Sequence, residues 1–274
     1  MPSLIVTGSL CTRCGACVAI CPLRIVEMPE AGLLPRFTDT GAGRCIACGH
    51  CEAVCPTGAL VVEAPCLDPA TYPPPSASLA PRDLDEYLRM RRSIRHFRPD
   101  PVPRETIEAL LDVVRYAPTG SNRQGVKWLV IHDTAEVRRL TGLAVDWLRS
   151  QLDGGSRLGP HFNIAGMIRS WRKGNDPICR NAPHLVIPYS DRQHPTADVD
   201  SIIAAAHLEI LAPAHGIGTC LGGFFQMAAE AWEPLRMALD LPAGHRPGYT
   251  VLLGYPVTTY HRPPKRNRLD VTWR

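Results

Sequence analysis

No apolar run in these 274 residues approaches the length that crosses a bilayer. The N-terminus also lacks a basic stretch leading into an apolar one, so a soluble, unexported protein is expected. Blocks of single-sign charge are scarce too. Thirty basic groups against 26 acidic leave a formal net charge of +4, with no long charged run before the C-terminus, which does not mark a nucleic-acid binder. Lysine is confined to Lys127, Lys173 and Lys265, so the basic chemistry is arginine chemistry. Several fingerprints are missing. Gly216, Gly218, Gly222 and Gly223 do not fit G-x-G-x-x-G, Gly41 and Gly43 fall inside a cysteine repeat, and there is no P-loop, H-E-x-x-H or G-x-S-x-G. These absences argue against a conventional Rossmann enzyme, an ATPase, a zinc protease and an α/β-hydrolase. What remains, 45% apolar and 20% charged residues, suffices for one large core, or one core with a small appended module. It does not suit disorder, collagen or a coiled coil.

Cysteine is abundant, and its distribution matters most. Eight of eleven cysteines lie between Cys11 and Cys55, leaving Cys66, Cys179 and Cys220 scattered. Such crowding without an export signal argues for metal ligation over disulfides, and for a reducing, cytoplasmic compartment. Cys11, Cys14, Cys17 and Cys21-Pro22 form C-x2-C-x2-C-x3-C-P, and the pattern returns at Cys45, Cys48, Cys51 and Cys55-Pro56. Three thiolates on a tight loop grip three irons of a cubane, while the fourth ligates the other cluster. One [4Fe–4S] cluster is therefore expected on Cys11, Cys14, Cys17 and Cys55, and a second on Cys45, Cys48, Cys51 and Cys21. The competing reading is zinc, which C-x2-C pairs also suit. Zinc needs only two such pairs and gives no reason for the third close cysteine or the trailing Cys-Pro.

The segment 1–63 resembles the bacterial two-cluster ferredoxins. Small or apolar residues between the ligands (Gly15, Ala16, Ile46, Ala47, Gly49) let backbone N–H groups approach the sulfurs, which is one lever on cluster potential. His50, between Cys48 and Cys51, offers an alternative ligand, but a full set of eight cysteines makes it a surface residue. The apolar runs after each Cys-Pro, Ile25-Val26 and Leu60-Val61-Val62, suggest short strands of one pseudo-twofold sheet.

Residues 64–81 hold six prolines and little apolar periodicity, as a semi-rigid linker does, with Cys66 a bystander. From 82 to 274 helices alternate with strands, in the manner of an α/β or α+β domain. Helices are expected at Asp83 to Arg91, Pro103 to Tyr116, Glu136 to Leu152, Asp198 to His215 and Ala228 to Leu239. Strands are expected at Trp128 to His132, His184 to Tyr189 and Tyr249 to Leu253. Trp147, Phe162 and Trp171 are candidates either for a substrate channel or for the core.

The informative segment of this second domain is Arg91-Arg92-Ser93-Ile94-Arg95-His96-Phe97. Arg91, Ser93 and Arg95 alternate along an extended chain and so share a side. Two guanidiniums and a hydroxyl on one spot suit a dianionic phosphate monoester. With Ala117-Pro118-Thr119-Gly120-Ser121-Asn122-Arg123-Gln124, then Gly216 to Phe224, and a closing Leu253-Gly254-Tyr255-Pro256, the chain from about residue 84 onward resembles the nitroreductase family of FMN enzymes. The resemblance implies an α+β fold, with a central sheet flanked by helices. It implies a phosphate grip on Arg91, Arg92, Ser93 and Arg95, and contacts to the ribityl chain and isoalloxazine edge from Pro118, Thr119, Asn122 and Gln124. Leu221, Gly222 and Gly223 would lie along the flavin, and Lys265 and Arg266 would return to the phosphate. Each has a plainer competitor: Asn122 and Gln124 as turn residues, Gly222-Gly223 as a simple turn, His261 to Arg268 as a solvated tail or polyanion-binding patch.

Clusters pass single electrons while FMN stores one or two, so the fusion makes a converter between one-electron donors and two-electron acceptors. The expected activity is FMN-dependent reduction of a small electrophile such as a nitroaromatic or quinone. Electrons would come from NAD(P)H or a soluble redox carrier, since the family binds nicotinamide without a fingerprint motif. The resemblance requires no side chain as nucleophile or general base, so no catalytic residue is assigned, and it implies a homodimer with FMN between subunits. The alternative is an electron-transfer or redox-sensing subunit of a larger complex without its own small substrate. The long segment from Asp146 to Pro183, enough to build a lid over a flavin, favours the enzyme.

Overall fold

The computed structural model describes residues 1–30, 33–68, 79–154 and 162–274. The chain divides into two compact units, Met1–Ala77 with Ser121–Arg123, and Ser78–Gly120 with Gln124–Arg274. Of the linker expected at 64–81, residues 69–78 lie outside the described residues.

In the first unit, β1 (Ser3–Val6) pairs antiparallel with β4 (Leu60–Glu63), and β2 (Val26–Glu27) with β3 (Arg36–Phe37). Short helices α1 (Ala16–Ile20), α2 (Gly41–Arg44) and α3 (His50–Ala53) connect them. Both apolar runs after Cys-Pro are strands, but they belong to two separate sheets rather than one. The reason is their partners: Leu60–Glu63 pairs with a strand lying ahead of the repeat, and Val26–Glu27 with a two-residue strand too short to show periodicity. Ile25, Val26, Ala59, Leu60 and Val62 form the buried interior of this unit.

The second unit contains α4 (Pro81–Met90), α5 (Arg104–Val114), β5 (Lys127–Ile131), α6 (Thr134–Asp153), α7 (Ile164–Arg172), β6 (His184–Asp191), α8 (Ala197–Leu211), β7 (Gly218–Leu221), α9 (Gly223–Ala231), α10 (Glu233–Ala238), β8 (His245–Pro247) and β9 (Val251–Gly254). The sheet order is β5-β6-β9-β7 with β8 also on β6, and every pair is antiparallel. Both faces are covered. Leu185, Ile187 and Leu252 pack with α6, α7, α9 and α10, while Val186, Val251 and Leu253, one residue out of phase, pack with α5 and α8. This is why β6 and β9 read as nearly unbroken apolar runs instead of alternating ones. Truncating a fully buried residue such as Leu140 or Leu208 to alanine removes about 2–5 kcal/mol.

Local chemistry sets the helix ends. Asp133 caps α6 by accepting from Ala135 N at 3.0 Å, and Asn163 caps α7 by accepting from Gly166 N at 2.9 Å. The helix expected at Ala228 to Leu239 is two helices broken at Trp232, because Pro234 has no N–H to give the preceding turn. The helix expected to reach His215 ends at Leu211 and tightens into a 3-10 turn through Pro213, closed by Gly216 at φ 71°. Among the three aromatic residues considered above, Trp147 is buried in the core. Trp171 packs against the core with the Arg138 guanidinium 3.7 Å over its ring, and Phe162 meets Phe224 edge-on at 5.0 Å. The segment expected as a lid is largely the end of α6 and α7, with residues 155–161 outside the described residues. Among the described residues no helix is long and apolar enough to cross a membrane.

Candidate functional site

The repeat in the cysteine sequence is also a repeat in backbone conformation. Arg13 and Ala47 have φ of 59° and 48°, Gly15 and Gly49 of 74° and 71°, and Arg24 and Gly58 of 51° and 62°. Each pair occupies matching places in the two halves. A left-handed residue costs about 1–2 kcal/mol unless it is glycine, yet Arg13, Arg24 and Ala47 carry that cost where the loops turn their cysteines inward. Strain of this kind collects at functional loops.

The turned cysteines surround two cavities. One is lined by Cys11, Cys14, Cys17 and Cys55, and the other by Cys45, Cys48, Cys51 and Cys21. In each, three thiols come from one loop and the fourth from the other half of the repeat. All eleven cysteines are free, and among the described residues no group of three or more His, Cys, Asp or Glu is placed to hold a single metal ion. Four soft thiols ringing a cavity fit a cubane better than a lone zinc, which draws its ligands onto one point. Burial pushes the Cys51 thiol up to about 11 and raises Cys17. Cys14, fully exposed, is lowered by the Ala16 N–H and the Thr12 hydroxyl. At Cys55 the upward push of burial is outweighed by hydrogen bonds from Thr57, Ala59 and Leu60. His50 turns Nδ1 toward the Cys48 carbonyl at 3.3 Å.

In the second unit the arginine segment runs beside β7, with Ile94 N donating to Thr219 O at 2.8 Å. The contact is close, because a Cβ at Gly218 would stand 2.8 Å from Ile94 Cγ1. This pairing carries Arg91, Ser93 and Arg95 to one neighbourhood. Arg91 lies 3.7 Å from the carboxylate of Glu209, a residue of α8, and Ser93 and Arg95 both act on the Cys220 thiol. Burial raises Glu209, opposed by Arg91, and burial raises Cys220, opposed by Arg95. Among the described residues, Arg91 Nη1 (the atom that faces Glu209 Oε1 at 3.7 Å), Thr219 Oγ1 and Glu209 Oε1 itself are buried without hydrogen-bond partners. Two orphaned donors among arginines fit a phosphate monoester. Arg92 is half-buried and forms no hydrogen bond or ion pair among the described residues.

The loop at 118–124 carries its own strain: Ser121, Asn122 and Gln124 have φ of 51°, 52° and 49°. Gln124 N donates to Thr119 Oγ1 at 3.0 Å, and Gly120 N donates at 3.0 Å to Asp200, a buried carboxylate that also accepts from Thr196. Pro118 is exposed. Asn122 belongs to the first unit, where its Nδ2 donates to Ile46 O and Ala47 O, both at 3.0 Å. Gly222 N bonds Thr250 O at 2.8 Å, and a Cβ on Gly222 would meet Leu252 at 3.1 Å; Gly223 opens α9 and Leu221 is exposed. Lys265 and Arg266 are exposed and form no hydrogen bond or ion pair among the described residues. Nor does any such bond among these residues join Pro118, Thr119 or Gln124 to Arg91–Arg95. Glu209 lies outside every sequence motif, and Thr219 and Cys220 lie within the Gly216 to Phe224 motif without a role there, since nothing in residue order announces that α8 and β7 meet the arginine segment.

A cysteine-ringed pair of cavities, together with an α+β unit bearing orphaned anion donors, defines a redox protein of the flavin-dependent oxidoreductase class. Residues 88–255 match the nitroreductase family model, and the chain belongs to that family. Residues 10–60 match the model of the 4Fe-4S dicluster domain. The chain is 27% identical over 170 residues to nitroreductase NfnB of Mycolicibacterium smegmatis, covering 53% of this chain and 72% of that protein. It is 24% identical over 139 residues to iodotyrosine deiodinase of Thermotoga neapolitana, covering 50% of this chain and 71% of that one. Among solved structures, an FMN-bound nitroreductase from Bacteroides fragilis superposes with a TM-score of 0.58 at 19% identity, covering 69% of this chain and 98% of that one.

Proposed function

We propose that this chain is an FMN-dependent oxidoreductase that receives electrons through two [4Fe–4S] clusters and reduces a small electrophile such as a nitroaromatic or quinone. The observation that carries the reading is the pair of cavities, each lined by three cysteines of one loop and the fourth of the other half, in a chain of the nitroreductase family. Cys11, Cys14, Cys17 and Cys55 hold one cluster, and Cys45, Cys48, Cys51 and Cys21 the other. Arg91 and Arg95 bind the FMN phosphate with Ser93 and Arg92, and the Thr219 hydroxyl completes the donor set. Pro118, Thr119 and Gln124 hold the ring edge through a loop that Asp200 anchors. Leu221, Gly222 and Gly223 border the flavin. When bound, FMN supplies the exchange between one-electron and two-electron carriers. No protein side chain is needed as nucleophile or general base; the residues bind, orient and set the local charge.

A homodimer with FMN between subunits accounts for the absence, among the described residues, of any direct bond between Pro118, Thr119 or Gln124 and the arginines, because the two groups can then come from different copies. Exposed apolar residues on α8 support that assembly: Val199, Ile202 and Ile210 are 57%, 53% and 40% exposed. Free thiols in ligand positions suit a reducing, cytoplasmic setting, and the donor is NAD(P)H or a soluble redox carrier. The deciding experiment is an ultraviolet–visible spectrum of anaerobically purified protein, with iron, sulfide and FMN quantified per chain, followed by turnover with nitroaromatic and quinone acceptors. Flavin bands over an iron–sulfur shoulder, about eight irons and about one FMN are expected. Zinc without flavin, or cofactors without turnover on any acceptor, would refute the enzyme reading.

A further inference from the structure

The cysteine repeat provides its own internal comparison, because residues 34 apart occupy matching places in its two halves. Around Cys11, Cys14, Cys17 and Cys55 stand Thr12, Arg13 and Thr57. Their counterparts around Cys45, Cys48, Cys51 and Cys21 are Ile46, Ala47 and Leu23, of which Ile46 and Leu23 line the second cavity with Ile25, Val26, Phe37 and Val62. Two hydroxyls and a guanidinium in one half are thus apolar in the other. Hydrogen bonding follows the same asymmetry. Cys55 Sγ accepts from Ala59 N at 3.3 Å and the Thr12 hydroxyl bonds Cys14, whereas Thr57 Oγ1, 3.7 Å from Cys55 Sγ, gives its proton to Leu10 O at 2.9 Å. Exposure does too: Cys14 is exposed, whereas none of the four cysteines of the second cavity is. The polar side chain of the second lining, His50, faces a carbonyl instead of a sulfur.

Adding an electron to a thiolate-bound cluster increases its negative charge. Hydrogen bonds to sulfur, a nearby cation and contact with water all stabilise the more reduced, more negative state, and so raise the potential. All three differences point the same way. We propose that the two cluster sites are inequivalent, the Cys11–Cys14–Cys17–Cys55 site having the higher reduction potential, with Thr12 and Arg13 as the residues that set it apart. The proposal rests on the cluster assignments above. Thr12 and Arg13 act on the cluster's electrostatics and are not ligands.

The test is an anaerobic redox titration of the full chain followed by electron paramagnetic resonance, with iron counted in every sample. The native protein should reduce in two resolved steps. Thr12→Val and Arg13→Ala should each lower the upper step and leave the lower one in place, while Ile46→Thr should raise the lower step alone. The reciprocal variant keeps the test decisive if Thr12→Val fails to assemble. About eight irons with a single coincident step, or variants that move the opposite step, would overturn the inequivalence alone. A chain holding zinc, or no reducible cluster, would overturn the cluster assignment and this inference with it.

Discussion

A buried guanidinium nitrogen without a hydrogen-bond partner, as at Arg91 Nη1, costs about 1–3 kcal/mol and is retained where it serves something other than stability. If that service is the FMN phosphate, Arg91→Gln should weaken FMN roughly 10- to 100-fold, the worth of a charge-assisted bond. Riboflavin, which has no phosphate, should bind as before. Fluorescence titration with both flavins makes the check, and an equal loss for both would mean that Arg91 shapes the site without touching phosphate. The cysteines allow a second test at the same scale. Cys21→Ser with Cys45→Ser strikes one proposed ligand set and should leave about four irons, whereas Cys21→Ser with Cys11→Ser strikes both sets and should leave far fewer. Equal iron in the two double variants would refute the crossed assignment. The cysteines were legible in the sequence because a cubane fixes ligand spacing along the chain. The roles of Glu209, Thr219 and Cys220 were not, since the meeting of these residues with Arg91 and Arg95 depends on how α8 and β7 pack.

Between elements, the clearest polar knot ties the segment before α5 to β5 and β6. Val102 N donates to His184 Nε2 at 2.8 Å, His184 Nδ1 donates to His132 O at 2.8 Å, and the two imidazoles stack at 4.3 Å. Since Val102 N–H can only donate, the network places the proton of neutral His184 on Nδ1. Burial, reinforced by the neighbouring His132, lowers His184 to about 4, although its bond to the His132 carbonyl opposes the shift. The unfolded chain takes up this proton near the ordinary value of about 6.5. Stability is therefore full above pH 6.5 and declines as pH falls toward 4, by up to about 3 kcal/mol, with no further change from this group below that. Denaturant melts of native protein and His184→Gln across this window should show the variant less stable at pH 7 and its pH slope reduced. Parallel curves would exclude His184 as the source. At this scale the sequence was read well where periodicity was long, as in α6, and poorly where it was short. Gly218–Leu221 lies outside the strands the sequence pattern predicts, and its strand character comes from pairing with Val251–Gly254.

Across the whole molecule, α8 is the element whose composition a single chain does not explain. Its inner face, with Ala204, Ala205 and Leu208, is buried against the sheet, yet Val199, Ile202 and Ile210 on other faces stay exposed. Apolar residues on more than one face of a helix call for more than one packing partner, and a second copy of the chain would provide the other. Leu84 and Leu88 of α4, 40% and 43% exposed, extend the apolar surface, since Tyr87 of the same helix hydrogen-bonds Ile210 O. If this surface closes a homodimer and FMN sits between subunits, a charge placed on it should cost both together. Ile202→Glu should convert the native dimer to monomer in sedimentation analysis and lower FMN occupancy in proportion. The iron content, held within the first unit, should stay at about eight. A monomeric variant that keeps its flavin would separate flavin binding from assembly, and a native protein that sediments as a monomer with full FMN would remove the dimer from the account.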